Sequence, residues 1–292
     1  MKNVRYEYSS IMNRRAIEWP NKARLAVWVI LNIEHFEIDI PSTGFGPAVG
    51  QVPDVRNYAW RDYGMRVGIW RVMDILAKYG IRATAALNSS VCEHYPVIIE
   101  EAKRRGWEFM GHGITNSKLL LNLPEDEERK VIKTTVQVIE NAVGKRPEGW
   151  LSPALTETFN TLDILAEEGI RYVCDWCNDD QPYPMRVKKG TLISIPYSIE
   201  VNDLPVFLSY HLASEQFCQI MKDQFDVLYQ EGASSGRVMA IALHPFLIGQ
   251  PFRSKYLDSA LQHIASHPNV WFTTGSEIAG WYYEHYFSRD KE

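Results

Sequence analysis

Apolar and polar positions alternate along the chain in blocks, and each block predicts an element. The run "ARLAVWVILNI" (23–33) is almost unbroken in β-branched and apolar residues and predicts a buried strand. Residues 34–64, with Pro41, Gly44, Gly46, Pro47, Gly50 and Pro53, predict a long loop, a length that in compact domains usually serves function. Ile69, Val72, Met73 and Leu76 then follow helical spacing up to Gly80. "IRATAAL" predicts a strand, "YPVIIEEAKRRG" a helix and "WEFMG" a short strand. Past Pro124, Ile132, Val136, Ile139 and Val143 share one helical face that Gly144 ends. "EGWLS", "IRYVCDW", "TLISIPYSIEV", "RVMAIAL" and "NVWFTT" predict further strands. Helices are expected between them at "ETFNTLDILAEEG", 214–231 and 254–266, and a last one at 276–287.

Strands that alternate with helices pair in parallel. Six or more such units in 292 residues favour a closed or nearly closed β/α barrel in one domain, residues 1–292, with residues 1–20 as an N-terminal extension. In such a barrel the chemistry gathers where the strands end. The residues just past the predicted strands are Asn32, Glu34 and His35; Asn88 and Ser89; His112 and Asn116; Ser152; Asp175 with Asn178–Asp180; and His244. They form one polar rim. Ser152 reads as a turn residue beside Pro153 and lacks a G-x-S-x-G elbow.

Bulk properties narrow the classes. With 31 Lys+Arg against 36 Asp+Glu, net −5 and both signs interspersed, no nucleic-acid footprint appears. No apolar run reaches membrane-spanning length and no signal-peptide pattern opens the chain, so a cytoplasmic protein without membrane partners is expected. Cys92, Cys174, Cys177 and Cys218 are too few for a disulfide scaffold, and the one C-x-x-C lacks a second ligand pair.

Several stretches are more specific: "WPNKARLAVWVILNIE", "DYGMRVGIWRVMDIL", "GHGI", "DWCNDDQPY", "IPYSIEVND", "FDVLYQEG" and "LHPFLIGQPFR". With these the chain resembles the polysaccharide deacetylase superfamily (carbohydrate esterase family four) over about residues 18–285. More narrowly it resembles the branch of metal-independent allantoinase and a related peptidoglycan deacetylase homologue. The resemblance implies a deformed, incomplete (β/α) barrel of the α/β class, and a homo-oligomer such as a tetramer. The loop 34–64 would then cap the site or pack on a neighbouring subunit.

The family's two strand-end aspartates, base and metal ligand, correspond to Asn32 and Glu34. Its two metal-binding histidines correspond to His112 and Asn116. "WLSPAL" stands at the third motif without an Arg, Asp175 at the fourth, and His244 at the fifth, the family's general acid. A zinc site would draw on Glu34, His112 and Asn116, but an amide carbonyl is a poor zinc ligand.

The expected protein is therefore a hydrolase without a cofactor that opens a small cyclic ureide or imide. Glu34 would be the base, its pKa raised by burial. His244 would be the acid, and His112 would donate to the substrate carbonyl or to Glu34. Asp175 would orient an imidazole, and Asn32, Asn88, Asn116 and Ser152 would touch the substrate. The rivals are deacetylation of an N-acetyl sugar, with or without zinc, and a non-catalytic binder of small amides.

Overall fold

The computed structural model describes residues 4–41 and 49–287. Strand β1 (Leu25–Ile33) is buried at every position. It is followed by α1 (Val55–Tyr63), a π-helical turn (Gly64–Gly68) and α2 (Ile69–Lys78). Next come β2 (Thr84–Leu87), α3 (Ser90–His94), α4 (Pro96–Arg104), β3 (Glu108–Gly111) and α5 (Glu125–Val143). The middle holds β4 (Gly149–Trp150), α6 (Thr161–Glu167), β5 (Tyr172–Val173), β6 (Tyr183–Met185) and β7 (Leu192–Ser194). The chain continues with α7 (Asp203–Leu208), α8 (Ser214–Glu231), β8 (Arg237–Leu243), α9 (Pro245–Ile248), α10 (Pro251–Ala265), β9 (Val270–Thr273) and α11 (Gly275–Tyr282).

Pairing is parallel, as the alternation predicts, except for the antiparallel hairpin β6–β7. The strand order is β6-β7-β5-β4-β3-β2-β1-β8. Strand β9 pairs Leu25–Trp28 of β1 and β2 pairs Ile30–Ile33, so the two share one edge of β1. Among the described residues, the free edge of β8 meets no regular strand. It meets coil instead: Val238 N–H donates to Asp180 O at 2.9 Å, and Asn202 bridges Ala242. The barrel is thus deformed and incomplete, closed on one side by irregular chain.

Two predicted elements differ from the structure. The loop 34–64 is shorter than expected, because α1 begins at Val55 with Asp54 as its cap, accepting from Asn57 N–H at 3.1 Å. Its buried positions are Asn57 and Arg61. Polar residues on the inner face hide the helical period. Of "TLISIPYSIEV" only Leu192–Ser194 is strand. Residues 42–48 of the predicted loop lie outside the described residues.

Side-chain parity decides what faces the barrel interior, since successive strand residues point to opposite faces. In β1, Leu25, Val27, Val29, Leu31 and Ile33 pack on the helices, against Val72, Ile98, Phe217 and Leu257. Ala26, Trp28 and Ile30 form the inner cluster with Ala86, Met110, Tyr172, Ile193 and Ala240. Trp28 reaches across the barrel to Tyr172, edge to face with ring centres 6.4 Å apart. Replacing it with Ala would cost about 3–5 kcal/mol. Two residues beyond the inner set of each strand, the same parity yields Asn32, Asn88, His112 and His244.

The π-helical turn is a second device that positions the site. Gly64 and Gly68 lie four apart, on one face, and press on the backbone that follows His244. A Cβ on Gly64 would stand 2.5 Å from Phe246 N, and one on Gly68 2.1 Å from Pro245 O. Only hydrogen side chains permit that approach. Gly68→Ala should therefore lower the unfolding free energy by about 1–3 kcal/mol in urea titrations, by overpacking. Gly280→Ala, where a Cβ meets nothing within 4 Å, should change it by less than about 0.5 kcal/mol.

Candidate active site

Three strand ends, those of β1, β3 and β8, bring Glu34, His112, Asn116 and His244 together. Glu34 Oε1 accepts from Asn116 Nδ2 at 2.5 Å. His112 Nε2 lies 3.6 Å and His244 Nε2 3.7 Å from the same oxygen. Those separations are too long for hydrogen bonds but short enough for strong charge effects in a buried place.

The polarity of each group follows from backbone partners whose roles are not in doubt. Asn88 Oδ1 accepts from the His35 N–H at 2.9 Å, so its amino group must donate. It donates to the His112 carbonyl and, at 2.9 Å, to Asn116 Oδ1. The Asn116 oxygen is thereby taken, and its NH₂ group is the part that faces Glu34. His112 Nδ1 lies 2.6 Å from the Leu151 carbonyl, which can only accept. Nε2 is therefore the atom that His112 turns toward Glu34, and it is buried without a hydrogen-bond partner among the described residues. Its Nδ1 is thus committed to Leu151, and Nε2 is the atom left to serve Glu34 or the substrate carbonyl.

His244 is held by a residue that the strand ends did not reveal. Its Nδ1 lies 2.7 Å from Asp203 Oδ1, and Asp203 Oδ2 accepts from the N–H groups of His244 at 2.9 Å and Ile248 at 3.2 Å. Asp203 is fully buried, and these bonds satisfy its charge. Burial alone would lower the His244 pKa, but the charge and hydrogen bond of Asp203, with Glu34 beyond, raise it above its ordinary 6.5. Glu34 moves the opposite way from the sequence expectation. Burial pushes its pKa up, yet His112, His244 and Arg61 together hold it below its ordinary 4.5.

Arg61 is the second group missed. Its guanidinium lies 4.1 Å over the Phe36 ring and 5.2 Å from Phe246, and its Nε is buried without a hydrogen-bond partner. Asn32, Glu34, Phe36, Arg61, Met65 and Phe246 line a narrow cleft with space for about one water molecule. A roomier cleft, lined by Tyr6, Arg14, Tyr183 and Tyr286, contains none of these histidines.

Two predicted site residues do not face the reaction centre. Ser152 and Asp175 have the opposite strand parity, with Trp150 and Val173 on the helix side. Ser152 Oγ accepts from Trp150 Nε1 at 3.0 Å, and its N–H donates to Asp175 Oδ1 at 2.7 Å. Asp175 thus orients no imidazole: both Nδ1 atoms have other partners. Burial and the neighbouring Asp175 push the Glu157 carboxyl up to about 9. Asn88 has its side-chain atoms committed to the protein and serves as a clamp. Asn32 is buried at the cleft but donates to Leu243 O at 3.2 Å and Tyr197 Oη at 3.3 Å. Asp179 pairs with Arg14 at 2.6 Å, Asn178 accepts from Tyr183, and His35 stacks on His94.

These residues do not suit zinc. Tetrahedral zinc needs donors about 3.3 Å apart. Among the described residues, Glu34, His112 and His244 do not bring all three donor atoms within 4.8 Å of one another. Asn116, the remaining position, offers hydrogens.

Residues 58–173 match the family described as Polysaccharide deacetylase. A Schizosaccharomyces pombe protein whose name assigns it to the polysaccharide deacetylases is 28% identical over 89% of this chain and 91% of its own. A Helicobacter pylori peptidoglycan deacetylase is 24% identical over 73% of this chain and 83% of its own. The crystal structure of Puue allantoinase superposes with a TM-score of 0.86, at 27% identity, covering 94% of this chain and 95% of that one.

Asp203→Asn should lower the His244 titration midpoint, followed by NMR of the imidazole, because the charge that raises it is gone. Asp175→Asn should leave that midpoint in place.

Proposed function

We propose that this chain, which carries a polysaccharide deacetylase domain, is an amide C–N hydrolase acting on a small cyclic ureide or imide without a metal. The observation that carries the reading is the Asn116 amide. Its NH₂ group faces Glu34 where a metal-dependent site needs a ligand that accepts a cation. Cyclic ureides and imides have more electrophilic carbonyls and more acidic leaving nitrogens than acetamides, so their hydrolysis needs less Lewis-acid help.

The chemistry divides among this chain's own residues. Glu34, kept ionised by its neighbours, takes a proton from the attacking water. His112 Nε2, buried 3.6 Å from Glu34 with no hydrogen-bond partner among the described residues, steadies the Glu34 carboxylate and orients the attacking water or the substrate carbonyl. The Arg61 guanidinium, buried and incompletely hydrogen-bonded, faces the negative charge that develops on the carbonyl oxygen. His244, charged beside Asp203, gives its Nε2 proton to the departing nitrogen. The ordered pair of carboxylate and imidazolium exists between the two titrations. Deacetylation of an N-acetyl sugar is the second reading, favoured by the name of the Helicobacter pylori relative.

A panel of cyclic ureides, cyclic imides and N-acetyl sugars tests the substrate class. Turnover of a ring substrate and none of the sugars is expected; the reverse would overturn the reading. Glu34→Gln should keep binding and lose most turnover, and His244→Ala should lower kcat by on the order of 10²–10⁴. Activity should fall as pH drops through the Glu34 pKa, below 4.5, because the base is then protonated. It should fall again as pH rises through the His244 pKa, above 6.5, because the acid has lost its proton. Glu34→Gln should lack the acidic limb.

A further inference from the structure

At the opposite end of the barrel lies a second cluster of ligating side chains, unconnected with the reaction centre. Helix α8 runs into β8 and α10 into β9, so the C-terminal ends of both helices stand where the strands begin. Glu34, His112 and His244 stand where strands end. Asp226 on α8, His263 in the last turn of α10 and His267 just beyond it converge there. Their ligand atoms all lie within 4.8 Å of one another, and all three side chains are half-buried.

We propose that Asp226, His263 and His267 form a divalent-cation site, best matched to zinc, that ties α8 to the end of α10. Two imidazoles four residues apart along a helix and a carboxylate from a neighbouring helix supply nitrogen and oxygen donors of the kind zinc takes, with a fourth position left to water. The His267 tautomer is set for it. His267 Nδ1 lies 2.9 Å from the His263 carbonyl, which only accepts, so Nδ1 carries the proton and Nε2 keeps its lone pair. His263 Nε2 donates to Asp226 Oδ1 at 2.8 Å, and a cation would take the place of that proton. This pair would open slightly, and the remaining separations, all within 4.8 Å, would adjust toward the spacing of about 3.3 Å around zinc.

The surroundings are apolar and firm. The Phe225 ring stands 4.9 Å from His267 and 5.7 Å from His263, and Tyr229 stands 5.4 Å from His267. Tyr229 Oη also donates to Pro268 O at 2.8 Å, anchoring the segment that carries His267. A bound cation would therefore join three parts of the chain: α8, α10 and the turn into β9. Its contribution would be to stability, with no part in the hydrolysis proposed above.

The full chain, stripped with a chelator and titrated with cobalt(II) and then zinc, tests this. One cobalt per chain is expected, with the visible absorption of a tetrahedral nitrogen–oxygen site, displaced by zinc. His263→Ala and His267→Ala should each weaken binding by on the order of tenfold or more, the loss that even an outer partner of a ligand can cause. Zinc should raise the Tm of the parent by several degrees and leave that of His267→Ala unmoved. Glu34→Gln should bind cobalt as the parent does. No saturable binding at micromolar metal would overturn the proposal, as would binding that persists in the His263→Ala/His267→Ala double variant. Binding lost in Glu34→Gln would also overturn it and would place the ion at the reaction centre.

Discussion

The reaction centre depends on the hydrogen bond from the His35 backbone N–H to Asn88 Oδ1. A peptide N–H can only donate, so the Asn88 amino group must point the other way. It then holds the His112 carbonyl and the Asn116 oxygen. Each assignment forces the next, and the last one aims two amide hydrogens at Glu34. A carboxylate that would otherwise share a cation is satisfied by a neutral donor. With the Leu151 carbonyl fixing His112 and Asp203 fixing His244, both imidazoles have set orientations. An enzyme built this way has its dipoles in place before substrate arrives, which is where electrostatic catalysis draws its strength.

Much of the fold was legible because burial follows period. The eight apolar positions of β1, the Ile69–Leu76 spacing and the helix ended by Gly144 are all strong local patterns, and each became the expected element. Closure of the barrel was not legible in the same way. It relies on single contacts of Asp180 and Asn202 with β8, in segments with no strand period. The candidate site was legible by half. Strand-end position found Glu34, His112, Asn116 and His244, but the same rule also admitted Ser152 and Asp175. Parity separates the two groups: Leu151 and Cys174 face inward, so the residues after them face the helices. A count of two from the last inward residue would have excluded both.

Asp203 and Arg61 escaped for a different reason. Neither follows a strand. Asp203 sits at the start of α7, within "IPYSIEVND", a stretch specific enough to carry the resemblance yet given no role. Arg61 occupies the inner face of α1 four residues from Asn57, and polar residues at core-facing positions erase the amphipathic signal. The glycines of "DYGMRVG" had a readable pattern without a readable reason. Their role appears only when Gly64 and Gly68 are seen against Pro245 and Phe246, far along the chain and in no local pattern at all.

The central claim is that a hydrogen-bonded amide stands where a metal ligand would be needed, so that hydrolysis runs on side chains alone. The most direct measurement is kcat/KM on the ring substrate before and after exhaustive chelation, made in the His263→Ala/His267→Ala background so that the distal site contributes no ion. The account predicts an unchanged rate with metal content far below one ion per chain. Loss of activity on chelation, restored by stoichiometric zinc, would contradict it.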